Sequence, residues 1–284
     1  MGADLSAGAR SAQAEARSAK AAGPGGRGDE GMEGTRRDFL IVGGRMLVMT
    51  AASAAALQHV IAGTPELADT YKTVDHWWAM AVDIRKCIGC GNCVQACKTE
   101  NDVVDEPFYF RTWVERYHID PADREHPIVD SPNGGKDGFP EKYEDGEGKT
   151  FFVPKLCNHC SDSPCVQVCP VGATFVTPDG VVLVDQDYCV GCRYCIQACP
   201  YGSRYLDPRT HTADKCTFCY HRITKGLKPA CVEVCPTGAR QIADMKNPAD
   251  PIHAFLRENA VDILKPQMAT GAKVYYAALD GSVR

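Results

Sequence analysis

Apolar residues in this chain come in short runs separated by polar, glycine- and proline-rich segments, which predicts many small elements rather than a few long ones. Thr174-Phe175-Val176-Thr177 and Val181-Val182-Leu183-Val184 flank Pro178-Asp179-Gly180. Two β-prone runs around an Asp-Gly pair predict a hairpin. Cys93 to Cys97 and Cys195 to Cys199 predict the starts of short helices. Asp250-Pro251 predicts a helix over Ile252 to Glu258, because proline's fixed φ suits the first helical position, and Leu264-Lys265-Pro266 breaks the pattern again. Val274-Tyr275-Tyr276 reads as a strand in a structural tail. From Asp102 to Thr150 runs a long insertion, whose second half, Ser131 to Lys149, is rich in Gly, Asp, Glu and Lys and predicts a surface loop that contacts a partner. The aromatic residues Trp77, Trp78, Phe108, Tyr109, Phe110, Trp113 and Tyr117 predict core or interface packing. Ile41 to Ala62 is mildly apolar but contains Arg45, and its clean part, Met46 to Leu57, is short and alanine-rich for a membrane span. No later segment is long and apolar enough to cross a bilayer. The fold class expected is α+β.

Cysteine changes this picture most. The sixteen cysteines fall into four groups: Cys87, Cys90, Cys93, Cys97; Cys157, Cys160, Cys165, Cys169; Cys189, Cys192, Cys195, Cys199; and Cys216, Cys219, Cys231, Cys235. Two groups read C-x2-C-x2-C-x3-C, and the other two lengthen only the middle gap. Three end in Cys-Pro, at Pro170, Pro200 and Pro236. The pattern resembles the bacterial ferredoxin run, in which three closely spaced thiolates hold one [4Fe–4S] cluster and the fourth ligates a second cluster. Gly89, Gly91 and Gly191 sit where backbone must approach closely. Disulfides, inert thiols and a zinc-holding interaction scaffold are the competing readings. Cys-x-x-Cys at every site makes poor staples, and zinc does not call for the third cysteine or the Cys-Pro ending. The segment from Val82 to Cys97 aligns with that from Val184 to Cys199, and Pro170-Val171-Gly172-Ala173 with Pro236-Thr237-Gly238-Ala239. Such self-similarity predicts duplicated units, each holding a cluster pair.

The net charge of −5, without a basic cluster, argues against nucleic-acid binding. No Ser/His/Asp set or carboxylate pair suggests catalysis by this chain alone, although a self-sufficient soluble iron–sulfur oxidoreductase stays open. Residues 2–34, rich in Ala, Gly, Ser and Arg, read as disordered. Thr35-Arg36-Arg37-Asp38-Phe39-Leu40 then resembles a twin-arginine export signal, with Val60-Ile61-Ala62 as a cleavage site and a retained anchor as the alternative. Export of folded protein suits a cofactor inserted in a reducing compartment.

Taken together, the chain resembles the four-cluster iron–sulfur electron-transfer subunits of the dimethyl sulfoxide reductase superfamily, including those of polysulfide, tetrathionate and nitrite reductase systems and some hydrogenases. The motifs carrying the likeness are Cys87 to Cys97 with Lys98-Thr99-Glu100-Asn101, Cys157-Asn158-His159-Cys160 with Cys165 to Ala173, Cys189 to Gly202, and Lys215-Cys216-Thr217-Phe218-Cys219 with Cys231 to Ala239. The resemblance implies two nested ferredoxin-like modules, an outer one over 63–150 plus 208–284 and an inner one over 151–207, after a leader over 1–62. It implies one cluster on Cys87, Cys90, Cys93 and Cys235, and a second on Cys216, Cys219, Cys231 and Cys97. A third falls on Cys157, Cys160, Cys165 and Cys199, and a fourth on Cys189, Cys192, Cys195 and Cys169. Relatives lacking the cysteine equivalent to Cys192 hold a three-iron cluster there; with Cys192 present, four cubanes are expected. The outer pair would face a catalytic subunit, which in this superfamily can carry molybdopterin. The inner pair would face an integral-membrane quinone-reactive or cytochrome-linked subunit on the periplasmic side. Lys98 replaces the proline of the other runs, and reads equally as a tuning charge or a solvated one. Lys86 and Lys215 read as solvated charges, and His159 as a loop residue beside a ligand rather than a ligand.

Overall fold

The computed structural model describes residues 71–106, 108–139 and 148–283. The leader, its Arg36-Arg37 pair and the apolar stretch after them lie outside these residues, as do positions 140–147 of the polar segment. Among the described residues no helix is long and apolar enough to cross a membrane. In chain order the strands are β1 (Trp78–Asp83), β2 (Thr112–Asp120), β3 (Asp123–Asp130), β4 (Lys149–Leu156), β5 (Thr174–Val176), β6 (Val182–Val184), β7 (Arg204–Leu206), β8 (Ala213–Lys215), β9 (Arg240–Asp244), β10 (Val261–Asp262) and β11 (Val274–Ala277). The helices are α1 (Asn92–Glu100), α2 (Pro164–Gln167), α3 (Tyr194–Gln197), α4 (Tyr220–Ile223), α5 (Ala230–Glu233) and α6 (Ile252–Glu258). The chain is α+β, as expected, with the elements short because the cysteine turns interrupt them.

β1 is apolar up to Val82 and buried from Ala79 to Asp83, so it needs cover on both sides. It obtains neighbours on both edges: β9 antiparallel and β11 parallel, with β10 beyond β11. The C-terminal Val274-Tyr275-Tyr276 run is therefore an interior strand, and the buried Tyr276 hydroxyl donates to the Pro154 carbonyl, tying this sheet to β4. A second sheet runs β3-β2-β4, with Val114, Tyr117, Val153 and Leu156 buried. The Asp-Gly hairpin forms as β5–β6, and α6 starts where Asp250 accepts the Ile252 amide N–H at 2.9 Å.

Strand register brings distant cysteines together. In β1–β9, Val82 faces Arg240; these lie five positions before Cys87 and five after Cys235. In β5–β6, Val184 faces Thr174, five positions before Cys189 and five after Cys169. The same offset recurs, so each pairing carries the last cysteine of one group to the first of another. The other pairings repeat as well: Leu156 and Lys215, each immediately before a first cysteine, face Thr112 and Arg204. Helices follow suit, with α1 packed on α5 and α2 on α3.

The long insertion is more structured than its composition implied. Its first half supplies β2 and β3, where Arg116 donates to Asp130 across the pair at 2.6 Å. The expectation of a surface loop from Ser131 to Lys149 is corrected over its described part. Gly134 and Gly135 are buried, Phe139 packs on Phe152 with ring centroids 5.0 Å apart, and Lys149 opens β4. The reason is close approach: Gly91, at φ +77°, leaves space into which the Gly135 and Lys136 carbonyls fit, and a Cβ there would stand 2.3 Å from the Lys136 oxygen. Gly238, at φ +63°, meets nothing within 4 Å. Gly238→Ala should therefore cost only the left-handed conformation, about 1–2 kcal/mol, whereas Gly91→Ala adds a backbone clash. Thermal unfolding of the two holoproteins is expected to show the lower midpoint for Gly91→Ala.

Candidate metal centres

Each cysteine group folds by the same turn. The residue two after the first cysteine is left-handed in all four: Gly89 at φ +68°, His159 at +44°, Gly191 at +66° and Phe218 at +54°. This turn aims the residue's amide back at the cysteine. His159 N–H donates to Cys157 Sγ at 3.5 Å and Phe218 N–H to Cys216 Sγ at 3.4 Å. The left-handed conformation costs a non-glycine residue about 1–2 kcal/mol, and here both side chains are held by packing. His159 and Phe218 are buried and stack on each other, centroids 3.7 Å apart. His159 Nδ1 accepts the Val182 amide N–H at 3.0 Å, so its proton sits on Nε2. Burial, with Lys215, Lys273 and Arg204 nearby, pulls its pKa far below the usual range and keeps the ring neutral. The ring is thus occupied by packing and hydrogen bonding beside the sulfurs.

The turn after the last cysteine also points amides at sulfur. Burial raises the Cys169 and Cys235 thiols, but hydrogen bonds outweigh it and bring both below the ordinary value. For Cys169 the donors are the Thr174, Val171 and Ala173 amides; for Cys235 they are the Thr237 hydroxyl and the Arg240, Ala239 and Thr237 amides. Gly172 and Gly238, both left-handed, make this Cys-Pro-x-Gly turn possible.

The structure gathers the sulfurs across groups. Cys87, Cys90, Cys93 and Cys235 line one pocket, together with Arg240. Cys97, Cys216, Cys219 and Cys231 line another. Cys160 interacts electrostatically with Cys157, Cys165 and Cys199. Cys169 and Cys189 are brought together by the β5–β6 register, and Cys189 packs against a buried cluster that includes Cys165 and Cys195. Fourteen of the sixteen are buried or half-buried; only Cys90 and Cys192 are exposed, and none is in a disulfide. Burial pushes the Cys87, Cys160 and Cys231 thiols up to about 11, and Cys97 and Cys216 well above their ordinary value, with neighbouring sulfurs adding to the rise. Crowded sulfur of this kind holds its anionic form only beside a strong compensating charge, which a bound metal supplies.

Several polar residues complete the surroundings, and most gave no sign of this in the sequence. Asn101 reaches Cys97 Sγ at 3.6 Å and Cys219 Sγ at 3.8 Å through Nδ2. Arg204 donates from Nη2 to Cys165 Sγ at 3.0 Å, and Arg240 donates from Nη2 to Thr112 Oγ1 at 2.8 Å and interacts electrostatically with Cys93, Cys231 and Cys87. Both arginines occupy the fifth position after a group's last cysteine, in Cys199-Pro200-Tyr201-Gly202-Ser203-Arg204 and Cys235-Pro236-Thr237-Gly238-Ala239-Arg240. That shared Cys-Pro-x-Gly-x-Arg string was the available signal. Lys215 corrects the expectation of a solvated charge: it is 1 % exposed, and its ammonium donates to the Val182 and Cys216 carbonyls. Lys98 is also buried, anchored on the Val104 carbonyl at 2.6 Å and over the Phe110 ring, so its solvated reading is corrected too. Lys86 does remain in solvent, 3.9 Å from Asp83.

These surroundings suit an iron–sulfur cluster. The two pockets present sulfur donors without a lining carboxylate. Amides point at the sulfurs, and buried guanidinium nitrogens, Arg204 Nε and Arg240 Nε and Nη1, are left without protein partners. Comparison with known proteins agrees. Family models described as "4Fe-4S dicluster domain" match residues 86–173 and 148–245. The B subunit of tetrathionate reductase from Salmonella typhimurium is 39% identical over 252 residues, covering 88% of this chain and 90% of the relative. The B component of polysulfide reductase from Wolinella succinogenes is 38% identical over 197 residues, covering 69% and 90%. The arsenate respiratory reductase iron–sulfur subunit of a Shewanella species is 33% identical over 245 residues, covering 69% and 94%. By domain content and by these relatives, the chain belongs to the iron–sulfur electron-transfer subunits of the dimethyl sulfoxide reductase superfamily.

Proposed function

We propose that this chain carries four [4Fe–4S] clusters and relays electrons between a membrane quinone- or cytochrome-linked subunit and a catalytic oxidoreductase subunit. The ligand sets are Cys87/Cys90/Cys93/Cys235, Cys97/Cys216/Cys219/Cys231, Cys157/Cys160/Cys165/Cys199 and Cys169/Cys189/Cys192/Cys195, arranged as an outer and an inner module. Each cluster supplies one-electron transfer; the chain's own residues hold, insulate and orient it. Thr35-Arg36-Arg37-Asp38-Phe39-Leu40 supports export of the loaded protein to the periplasmic face, with membrane contact made through the partner.

One observation carries the relay. Among sixteen cysteines the two exposed ones, Cys90 and Cys192, hold the same motif position in the duplicated units. Each has exposed apolar neighbours: Ile88 at 59 % beside the first, and Val190 at 64 % with Tyr188 and Tyr194 beside the second. Buried clusters with one exposed corner at each end make a conductor with two exits, and an apolar rim at an exit suits a docked protein.

Three measurements test this. Anaerobically prepared protein should contain about one iron per cysteine and bleach on dithionite; colourless folded protein would end the proposal. Cys192→Ser should lower iron by about one atom per chain and give the paramagnetic signal of an oxidised three-iron cluster, leaving the Cys87-containing site unchanged. Ile88→Glu and Val190→Glu should each slow electron transfer with a different partner by roughly tenfold, the effect of about 1.4 kcal/mol on the barrier. Stopped-flow mixing with each isolated partner would read this, and slowing of both partners by either variant would contradict separate exits.

A further inference from the structure

Several cations are buried among the sulfurs, and three of them follow a rule of position. Arg240 is 2 % exposed, lines the pocket of Cys87, Cys90, Cys93 and Cys235, and interacts electrostatically with Cys231 of the adjoining set. Lys215 is 1 % exposed, donates to the Cys216 carbonyl at 2.8 Å, and interacts electrostatically with Cys157 and Cys165 as well as Cys216. Arg204 is 5 % exposed, touches Cys165, and interacts electrostatically with Cys157, Cys199 and Cys195. In terms of the four ligand sets, Arg240 spans the first and second, Lys215 the second and third, and Arg204 the third and fourth.

Among the described residues none of the three has a carboxylate partner. Arg111, by contrast, lies near Cys97 but is neutralised by Asp214 at 2.9 Å. Arg204 Nε and Arg240 Nε and Nη1 are buried without protein partners, so these donors are available to groups between the sulfurs. Burying an unpaired cation is costly, and three of them at corresponding junctions ask for a common reason.

We propose that Arg240, Lys215 and Arg204 form a chain of shared counter-charges, one at each junction between successive clusters, acting as positioning residues that raise the potentials of both clusters they separate. The inference rests on the four-cluster reading. An electron entering an anionic cluster meets repulsion from its neighbour, and in a low-dielectric interior that repulsion is weakly screened. A cation between two clusters favours the added electron on either one, so it holds neighbouring potentials together and eases the passage between them. Each arginine stands five residues after a group's last cysteine; Lys215, next to the His159–Phe218 stack, serves the junction between modules.

The test is a redox titration of the full chain in its complex, with each cluster followed by electron paramagnetic resonance. Lys215→Met should lower the potentials of two clusters, those on Cys97/Cys216/Cys219/Cys231 and Cys157/Cys160/Cys165/Cys199. Arg204→Met should lower the latter and the cluster on Cys169/Cys189/Cys192/Cys195. Each shift should be at least about tenfold in electron affinity, roughly 59 mV for a one-electron couple. Lys273 is the control: it is buried, and the sulfurs that act on it, Cys157 and Cys160, belong to one ligand set, so Lys273→Met should move one cluster only. Shifts absent, uniform across all four clusters, or confined to one cluster for Lys215→Met would overturn the proposal. Should Lys215→Met lose iron, Lys215→Arg is expected to restore both iron and potentials, and its failure to do so would make the residue a packing element and also overturn the proposal. Fewer than four clusters in the unsubstituted protein would instead sink the four-cluster reading itself.

Discussion

The structure depends on crowded sulfur. Gathering fourteen of sixteen cysteinyl groups into buried or half-buried positions concentrates potential negative charge where water screens it poorly. The raised thiols of Cys87, Cys160 and Cys231 express that stress directly. Everything around the sulfurs relieves it: left-handed turns that aim amides at them, the side chain of Asn101, and the buried guanidinium groups. Elements stay short because each turn must end a strand or start a helix. A core that holds such clusters is partly inorganic, and metal binding of this kind couples to folding.

Duplication is how the chain meets this demand. One solution, a strand five residues before a first cysteine paired with a strand five residues after a last cysteine, appears in β1–β9 and again in β5–β6. Arg240 and Thr174 stand at equivalent places in those pairings, yet only the former is charged. The copies therefore share geometry while differing in the charges that surround their sulfurs. Side chains, rather than backbone, distinguish one site from another.

What could be read from sequence follows the same division. Cysteine spacing is dictated by local turn geometry, so the groups, the hairpin around Asp179-Gly180 and the helix after Pro251 were all legible. Long-range approach was not. Nothing in Ser131 to Phe139 reveals that its carbonyls would fill the space beside Gly91, and a glycine- and charge-rich segment ordinarily faces water. Lys215 and Lys98 misled for a related reason: lysine is solvated unless anionic or carbonyl partners surround it, and those partners arrive from other elements, such as the Val182 carbonyl of β6. The arginines had a readable signal in the repeated Cys-Pro-x-Gly-x-Arg string, but a signal of spacing reveals position and not burial.

The two exposed cysteines show what duplication alone does not determine. In the proposed relay, a repeated unit with the same open corner in each copy would yield two equivalent exits, and equivalent exits would give it no direction. Direction requires that the surroundings diverge. Around Cys90 the chain places Ile88 at the surface, near a segment of the long insertion packed beside Gly91. Around Cys192 it places Tyr188, Val190 and Tyr194, and the segment after α3 is only the short β7–β8 pair, whose His211 carbonyl approaches Gly191. Aromatic side chains give large contact areas at low entropic cost and recur at protein interfaces, whereas an inserted sheet fixes a shape of its own. The insertion and the tyrosines thus break the symmetry of the repeat at its two ends, which is the physical minimum for two partners to be told apart.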